Sequence, residues 1–195
     1  MTTAKTDLLQ AIAGTNRGIL ATEAKKQAIS VAIANVENIN PTPSPLTATH
    51  LLNGNWRLIY TTSKALLNLD RLPGSKVGQI YQYIDVNTNS IYNLAEIVGL
   101  PYAEGLVSVA AKFEPIGDKR VNVKFERSII GLQRLIGYKS PDDFIQQIEA
   151  GKKFLAIDFP INSNQQQGWL DITYIDTDLR IGRGNEGSIF VLTKT

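Results

Sequence analysis

The feature that most constrains this chain is an alternation of apolar and polar residues that recurs, between turns, from about residue 53 to the end. Its clearest instance is residues 121–126, in which two valines and a phenylalanine alternate with asparagine, lysine and glutamate. Successive side chains of a strand point to opposite faces of a sheet, so this pattern makes one face apolar and the other polar. Most of the chain is therefore predicted to fold as antiparallel β-sheet around an apolar interior.

Turn signals divide this region into eight or nine strands, with hairpin turns predicted at residues 87–90 and 115–118. So many antiparallel strands within about 140 residues favour a sandwich or a closed barrel. A barrel of about eight strands is just wide enough to hold one small ligand. The strands are predicted near residues 54–62, 79–86, 90–98, 107–113, 121–125, 153–159, 168–176, 178–183 and 187–194.

Two helices are predicted before residue 40, because apolar residues recur there at helical spacing. Thr6 and Asp7 can cap the first helix, and Gly14 can end it. Thr22 can cap the second helix. These helices precede the predicted strands and form a separate segment of the sequence.

Three prolines between residues 41 and 45 disfavour helix and indicate a stiff linker. The predicted organisation is therefore an N-terminal helical segment (1–40), a Pro-rich linker (41–52) and a β-barrel domain (53–195). One helix is inserted late in the barrel. Ser140 supplies its cap, a proline and two aspartates follow in its first turn, and Gly151 is expected to end it.

Composition excludes several classes of protein. The chain has no cysteine and one histidine, which excludes disulfides, thiolate chemistry and Cys-ligated zinc. Twenty basic and 18 acidic residues give a net charge of +2, without the concentrated positive surface of a nucleic-acid binder. No apolar run approaches the ~20 residues of a transmembrane helix, and the N-terminus does not resemble a signal peptide. We expect a soluble protein in a cytosol-like compartment, without a cofactor.

Residues 182–187 (GRGNEG) match the G-x-G-x-x-G pattern of phosphate-binding loops. Such loops lie between a strand and a helix, whereas the eight residues that follow here are predicted to form a strand. The segment is therefore interpreted as a glycine-rich hairpin turn. Asp176 and Asp178 are likewise interpreted as a tight turn rather than a calcium-binding pair, because too few oxygen ligands accompany them.

His50, Asp158 and Asp171 are the remaining candidates for acid–base chemistry. No G-x-S-x-G nucleophile motif accompanies His50, so a surface or packing role is favoured. The two aspartates interrupt apolar strands, and exposure or pairing with arginine is favoured over catalysis. No catalytic residue and no metal site is assigned, and the chain is predicted not to be an enzyme.

Arg180 and Arg183 lie three residues apart at a predicted strand end, so they point to opposite faces if the strand is regular. One of them could enter the barrel, where it must pair or stack because burying a bare charge is costly. Trp56, Trp169 and Tyr60 are available aromatic partners. A structural role in closing the barrel is favoured over ligand contact.

Two segments carry a resemblance to a known family: residues 52–63 (LNGNWRLIYTTS) and residues 169–192 (WLDITYIDTDLRIGRGNEGSIFVL). They resemble the plastid lipid-associated protein (PAP)/fibrillin family, and the resemblance extends along the chain from about residue 5. Asn185 stands where many plant members have aspartate. The chain lacks the Ser/Arg-rich transit peptide of plastid-targeted members and so resembles a cyanobacterial form.

The resemblance implies a mainly β, lipocalin-like fold. Gly54-x-Trp56 matches the lipocalin G-x-W pattern of the first strand, whose tryptophan packs at the closed end of the barrel beneath an arginine from the far end of the chain. Arg180 or Arg183 would fill that role here. Which of the two does so is left open.

The resemblance also implies binding or carriage of isoprenoid lipids such as carotenoids, tocopherols and quinones, at thylakoid or lipid-droplet surfaces. Some family members are partners of enzymes that synthesise prenylquinones. The expected location is therefore cytoplasmic, in peripheral contact with a membrane or lipid droplet. The expected partners are a hydrophobic small molecule and, as for some family members, an enzyme, but no nucleic acid.

An apolar barrel interior with few charges suits a long hydrophobic ligand, although the same side chains could simply fill the barrel. Leucines beside Lys64 and Arg71 could contact a membrane or plug the barrel mouth, and residues 132–138 are similar. The candidates for lining a cavity are Trp56, Leu58, Tyr60, Val107, Val109, Phe113, Val121, Val123, Phe125, Arg180 and Arg183. The candidates for membrane contact are Leu66, Leu67, Leu69 and Leu72.

Two alternative functions stay open. A bilin-handling lyase or chaperone of lipocalin-like fold would need cationic partners for the bilin propionates inside the barrel. An adaptor whose barrel is filled would instead use its surface to recruit an enzyme of prenylquinone synthesis.

Overall fold

The structure is a computed structural model, and it describes residues 2–69, 76–99, 101–162 and 167–195. The predicted fold class is confirmed: the chain is mainly β, with a closed antiparallel barrel and a few short helices. Its helices are α1 (Thr3–Ile12), α2 (Glu23–Glu37), α3 (Thr49–Leu52), α4 (Lys64–Asn68), α5 (Gln133–Ile136) and α6 (Pro141–Glu149). Its strands are β1 (Gly54–Thr61), β2 (Lys76–Asp85), β3 (Ser90–Val98), β4 (Gly105–Ile116), β5 (Arg120–Leu132), β6 (Ile157–Pro160), β7 (Gln167–Ile175), β8 (Leu179–Gly184) and β9 (Ile189–Lys194).

The barrel consists of eight of these strands, in the order β4-β3-β2-β1-β9-β8-β7-β5. Pairing of β4 with β5 closes the ring, and this is the longest strand pair, running from Gly105–Leu132 to Ile116–Arg120. The short strand β6 is a ninth strand, which pairs with the second half of β5 along the edge whose first half pairs with β7. Full closure leaves no unpaired edge within the ring of eight strands.

Several element boundaries differ from the sequence prediction. Helix α1 begins at Thr3, so Thr6 and Asp7 lie inside the helix rather than at its cap. Strand β6 is only four residues long, because residues 153–156 form a loop that leads into it. Two predicted caps are present: Thr22 Oγ1 accepts a hydrogen bond from Lys25 N, and Ser140 Oγ accepts one from Asp143 N.

Three groups of buried side chains hold the fold together. The interior cluster lies inside the barrel and includes Trp56, Ile84 and Phe113. An outer cluster lies beneath α1 and α2, where helix residues such as Ile29 pack on β8 and β9. A second outer cluster lies beneath α5 and α6, where Phe144 is fully buried. On two sides of the barrel the outward-facing residues of the wall are apolar, as the inward-facing ones are. The helices cover these two apolar surfaces.

Strand β1 contributes to two of these clusters because its register shifts. Leu58 pairs with Leu192 and Tyr60 with Val191, so Ile59 is an extra residue in β1, a β-bulge. A bulge moves the residues that follow it to the opposite face. Leu58 therefore packs inside the barrel, whereas Ile59 and Tyr60 pack outside, beneath the N-terminal helices.

Candidate functional site

The barrel contains a cavity of about 840 Å³. Leu58, Ile91 and Leu192 line its inner part, while Leu66, Phe159 and Asn185 line the end that we call the mouth. The opposite end, which we call the floor, is the part of the interior cluster that surrounds the fully buried Trp56. A cavity of this size lies within the usual range of small-molecule sites, roughly 300–1,000 Å³.

Three residues of β8 shape the cavity wall. Arg180, Gly182 and Gly184 all line the cavity, as the period of two in a strand requires. A β-carbon on Gly182 would come within 3.1 Å of Leu170 Cδ1, and one on Gly184 within 3.3 Å of Phe190 Cε2. The two glycines thus leave room that side chains would occupy. The turn expected over residues 182–187 is shorter than predicted and consists of Asn185–Gly187.

Arg180 lies at the floor and is 1% exposed. Its guanidinium carbon is 4.9 Å from the centre of the Trp56 ring, and Trp56 Nε1 donates a hydrogen bond of 2.9 Å to the Leu52 carbonyl. Arg180 Nη2 donates to Gln82 Oε1, whereas Nη1 has no hydrogen-bond partner among the described residues. Burial lowers the pKa of Arg180, since a charged guanidinium is disfavoured away from water.

A second cation stands near the same ring. Lys194 Nζ lies 4.9 Å from the centre of the Trp56 ring and donates a hydrogen bond of 2.6 Å to the Leu51 carbonyl. Burial and the charge of Arg180 lower the pKa of Lys194. The floor is thus electropositive.

The open choice between the two arginines is resolved by the geometry of β8. Arg180 points inward over Trp56, while Arg183 lies on the outer face of the strand and pairs with Glu37 of α2. The two side chains therefore meet different partners in opposite directions: Arg180 lies over an aromatic ring, and Arg183 forms an ion pair.

The predicted cavity residues fall into three groups. Those that line the cavity are Leu58, Val109, Val123, Phe125 and Arg180. Those that pack in the interior cluster without lining the cavity are Trp56, Val107, Phe113 and Val121. Those on the outer face of the barrel are Tyr60 and Arg183. Tyr60 departs from the expected alternation because the bulge at Ile59 reverses the strand.

Sequence reasoning did not find the polar residues of the lining other than Arg180, among them the pair Gln82 and Asn93. Gln82 Nε2 donates a hydrogen bond of 2.8 Å to Asn93 Oδ1 across β2 and β3, where the two residues are directly paired. The signal was present in the sequence. Each amide interrupts a run of otherwise apolar inward positions, such as Ile80 and Ile84 on β2.

The leucines proposed for membrane contact are only partly exposed. Leu66 lines the cavity mouth. Leu66 and Leu69 pack against the interior cluster, and Leu67 is half-buried. Leu72 lies outside the described residues. In the similar segment 132–138, by contrast, Leu132 and Leu135 are 41% and 51% exposed.

More apolar surface is exposed beside the mouth. Leu155, Ile157 and Phe159 are exposed on and before β6, and Phe159 also lines the cavity. The loop before β6 lies against β5, since a β-carbon on Gly131 would come within 2.9 Å of Ala156 Cβ. The exposed leucines of segment 132–138 and the exposed residues on and before β6 thus lie on neighbouring segments, and we call them the apolar rim.

The carboxylates considered for catalysis form ion pairs instead. Asp171 accepts two hydrogen bonds from Arg120, and Asp158 accepts two from Arg127. The hydrogen bonds from these arginines lower the pKa of each aspartate. His50 is exposed in α3.

The aspartates after β7 form the expected turn. Asp176 Oδ1 accepts hydrogen bonds from the backbone nitrogens of Asp178 and Leu179. Both carboxylates also bind Lys5 of α1, at 2.7 and 2.9 Å. Within the described ranges there is no group of three or more His, Cys, Asp or Glu side chains that could hold a metal ion.

The chain is similar to known proteins over almost its whole length. The PAP_fibrillin family profile matches residues 2–193. No solved structure gives a significant match. Among helices of the described residues, none has the length and apolar character needed to cross a membrane.

Curated relatives include plastid proteins from several plants. The chain is 37% identical to "Light-induced protein, chloroplastic" of Solanum tuberosum, over 97% of this chain and 66% of that protein, just under two thirds of its length. It is 34% identical to "Chromoplast-specific carotenoid-associated protein C1, chromoplastic" of an Oncidium hybrid cultivar, over 97% and 68% of the two chains. It is 33% identical to "Probable plastid-lipid-associated protein 2, chloroplastic" of Arabidopsis thaliana, over 97% and 70%. On the family match and these identities, the chain belongs to the PAP/fibrillin family of plastid lipid-associated proteins.

Proposed function

We propose that this protein is a non-enzymatic carrier that holds a hydrophobic isoprenoid lipid, of carotenoid, quinone or tocopherol type, inside its lipocalin-like barrel. The observation that carries this proposal is the cavity of about 840 Å³, whose described lining is apolar apart from a few polar groups. Apolar walls with a small number of placed polar groups are typical of sites for hydrophobic ligands. The carotenoid-associated and lipid-associated names of its relatives support the same assignment.

The cavity also bears on the two alternatives. An adaptor with a filled barrel is disfavoured because the barrel is hollow. A bilin would need a cation for each of its propionates, and Arg180 is the one cation among the described lining residues. Carriage of a lipid therefore explains both the hollow barrel and its mostly apolar lining, whereas neither alternative explains both.

The proposal includes contact with a thylakoid membrane or lipid droplet through the mouth. The apolar rim that includes Leu132, Leu135 and Ile157 is exposed there, and Lys152 and Lys153 lie exposed in the loop before β6. Apolar residues beside basic ones suit a headgroup layer. Leu66 of α4 lines the mouth itself. In this proposal α4 covers the mouth, and the lipid enters the cavity beside it.

The test is to purify the protein from a photosynthetic host, extract it with organic solvent, and identify the extract by absorption and mass spectrometry. We expect an isoprenoid lipid in a fixed ratio to protein. Val109→Phe places a larger side chain on the cavity wall and should reduce the yield of lipid. Val31→Phe makes the same change on the exposed face of α2 and should not. A co-purifying bilin, or no lipid in either the wild type or the control, would contradict the proposal.

A further inference from the structure

The inner wall of the cavity carries a directional chain of hydrogen bonds. Arg180 donates through Nη2 to Gln82 Oε1, and Gln82 donates through Nε2 to Asn93 Oδ1. All three residues line the cavity. Both amide oxygens are thus already engaged as acceptors, and the remaining capacity of the chain lies chiefly in N–H donors. A molecule in the cavity therefore meets donors at this wall.

The charge at the floor is unbalanced. No aspartate or glutamate is among the described residues that line the cavity, and the nearby cation Lys194 adds to the positive charge. Arg180 is 1% exposed, and its Nη1 has no partner among the described residues. A buried charge is ordinarily paired, because its desolvation is otherwise uncompensated. The Trp56 ring and the neutral Gln82 give Arg180 a cation–π contact and one hydrogen bond. A carboxylate or another acceptor would add a hydrogen bond to Nη1, and a carboxylate would also neutralise the charge.

Resting on the proposed function, which fills the cavity with a lipid, we propose that the lipid is bound head first and that its head is a single oxygen acceptor held by Arg180. Among the lipids of the proposed function, a quinone supplies this acceptor as a carbonyl oxygen. A carboxylate, which those lipids lack, would also supply the missing negative charge and is therefore the most sensitive probe of the site. The tail then runs toward the mouth, along apolar wall residues such as Phe125 and Phe190. A lipid without oxygen leaves Arg180 Nη1 without a hydrogen-bond acceptor, as in the empty cavity.

A retinoid series tests the head group with the isoprenoid skeleton held constant. Retinoic acid, retinaldehyde, retinol and the hydrocarbon axerophthene differ only at one end of the chain. Quenching of tryptophan fluorescence reports binding, since Trp56 lies at the floor and Trp169 at the mouth. No lysine is among the described lining residues, so an imine with the aldehyde is not expected there.

We expect wild-type protein to bind retinoic acid most tightly, at least about tenfold more tightly than retinol or the hydrocarbon, with the aldehyde between them. Arg180→Met should bring retinoic acid to the affinity of the hydrocarbon and leave the hydrocarbon within about twofold of its wild-type affinity. Arg183→Met removes an arginine from the outer face and is the matched control. It should preserve the wild-type order.

The outcomes separate this inference from the proposed function. If no retinoid binds, the cavity is not a lipid site and the proposed function fails with it. If all four bind equally well to wild-type protein, the cavity holds lipids but Arg180 does not select the head, and the inference is overturned. The wild-type series gives this answer even if Arg180→Met does not fold, which circular dichroism would show.

Discussion

Arg183 of β8 and Glu37 at the end of α2 form a bidentate ion pair on the outside of the barrel. Arg183 Nε donates to Glu37 Oε1 at 2.8 Å, and Nη2 donates to Oε2 at 2.7 Å. Thr173 also donates to Glu37 Oε1, at 2.5 Å. The hydrogen bonds to Glu37 raise the pKa of Arg183, although its side chain is 40% exposed. The N-terminal helices are thereby fastened to strands that come last in the sequence.

Most of the energy that holds these helices should nevertheless come from apolar contact. Glu37→Gln weakens a partly exposed pair and should lower the free energy of unfolding by roughly 1 kcal/mol or less. Ile33→Ala opens a cavity in a fully buried position of the same helix and should cost about 2–5 kcal/mol. Urea unfolding of the two variants measures the difference. A larger cost for Glu37→Gln than for Ile33→Ala would show that polar contacts dominate this interface.

Trp56 and Arg180 should be energetically coupled. Trp56→Ala removes a fully buried ring and should cost roughly 3–5 kcal/mol. In a double-mutant cycle with Arg180→Met, we expect a coupling of about 1–2 kcal/mol, because the guanidinium lies over the ring in a desolvated position. The cycle of Trp56→Ala with Arg183→Met should give none, since Arg183 is on the outer face. Zero coupling in both cycles would mean that the arginine does not help to close the barrel.

The Lys5 cluster should make stability depend on pH at both extremes. Burial alone would raise the pKa of Asp176, but hydrogen bonds from Lys5 and Tyr174 lower it below its ordinary value of 3.8. This contribution is present above about pH 4 and is lost as pH falls through the lowered pKa. Burial alone would lower the pKa of Lys5, but Asp176 and Asp178 raise it above 10.5, so its contribution is lost only above that pH.

Thermal melts of wild-type protein and Asp176→Asn between pH 2 and 7 test this account. The variant should be less stable at pH 7 and should lose less stability on acidification, so the two curves converge at low pH. Asp118→Asn, on an exposed turn, is the control and should follow the wild type. Parallel curves for wild type and Asp176→Asn would exclude Asp176 as a source of acid sensitivity.

Two sets of leucines at the mouth should separate membrane contact from lipid retention. Leu132→Ser with Leu135→Ser removes exposed apolar surface and should weaken flotation with liposomes, by about 1 kcal/mol for each half-exposed leucine. Changing Leu66, Leu67 and Leu69 to serine alters the partly buried cover and should instead lower the amount of bound lipid. Salt should have a small effect because the net charge is only +2. Collapse of flotation at high salt in wild-type protein would move the contact to a basic surface.

The predictable parts of this fold are those that local chemistry decides. Alternation located the strands, and the caps at Thr22 and Ser140 are where their side chains suggested. The bulge at Ile59 could not be predicted, because it depends on the register of β1 against β9, a contact distant in sequence. Alternation from Trp56 and Leu58 therefore predicts the inner face for Tyr60, which packs on the outer face instead.

The same limit applied to the site. Strand alternation predicts that Arg180 and Arg183 point in opposite directions, but only the closed ring determines which direction is inward. The glycine motif predicts a turn over residues 182–187, whereas Gly182 and Gly184 lie in β8 and give the cavity part of its volume. Glycine has no side chain, so it does not contribute to the apolar alternation by which strands are recognised. Pattern analysis therefore misses cavity-lining positions that are occupied by glycine.

The bulge in β1 has a consequence for how the molecule unfolds. Through Leu58 the strand belongs to the barrel interior, and through Tyr60 it belongs to the core beneath the N-terminal helices. Neither core can melt without loosening the strand that the other requires. Calorimetry should therefore record a single cooperative transition, in which the van't Hoff enthalpy equals the measured enthalpy, with helices and barrel behaving as one thermodynamic unit.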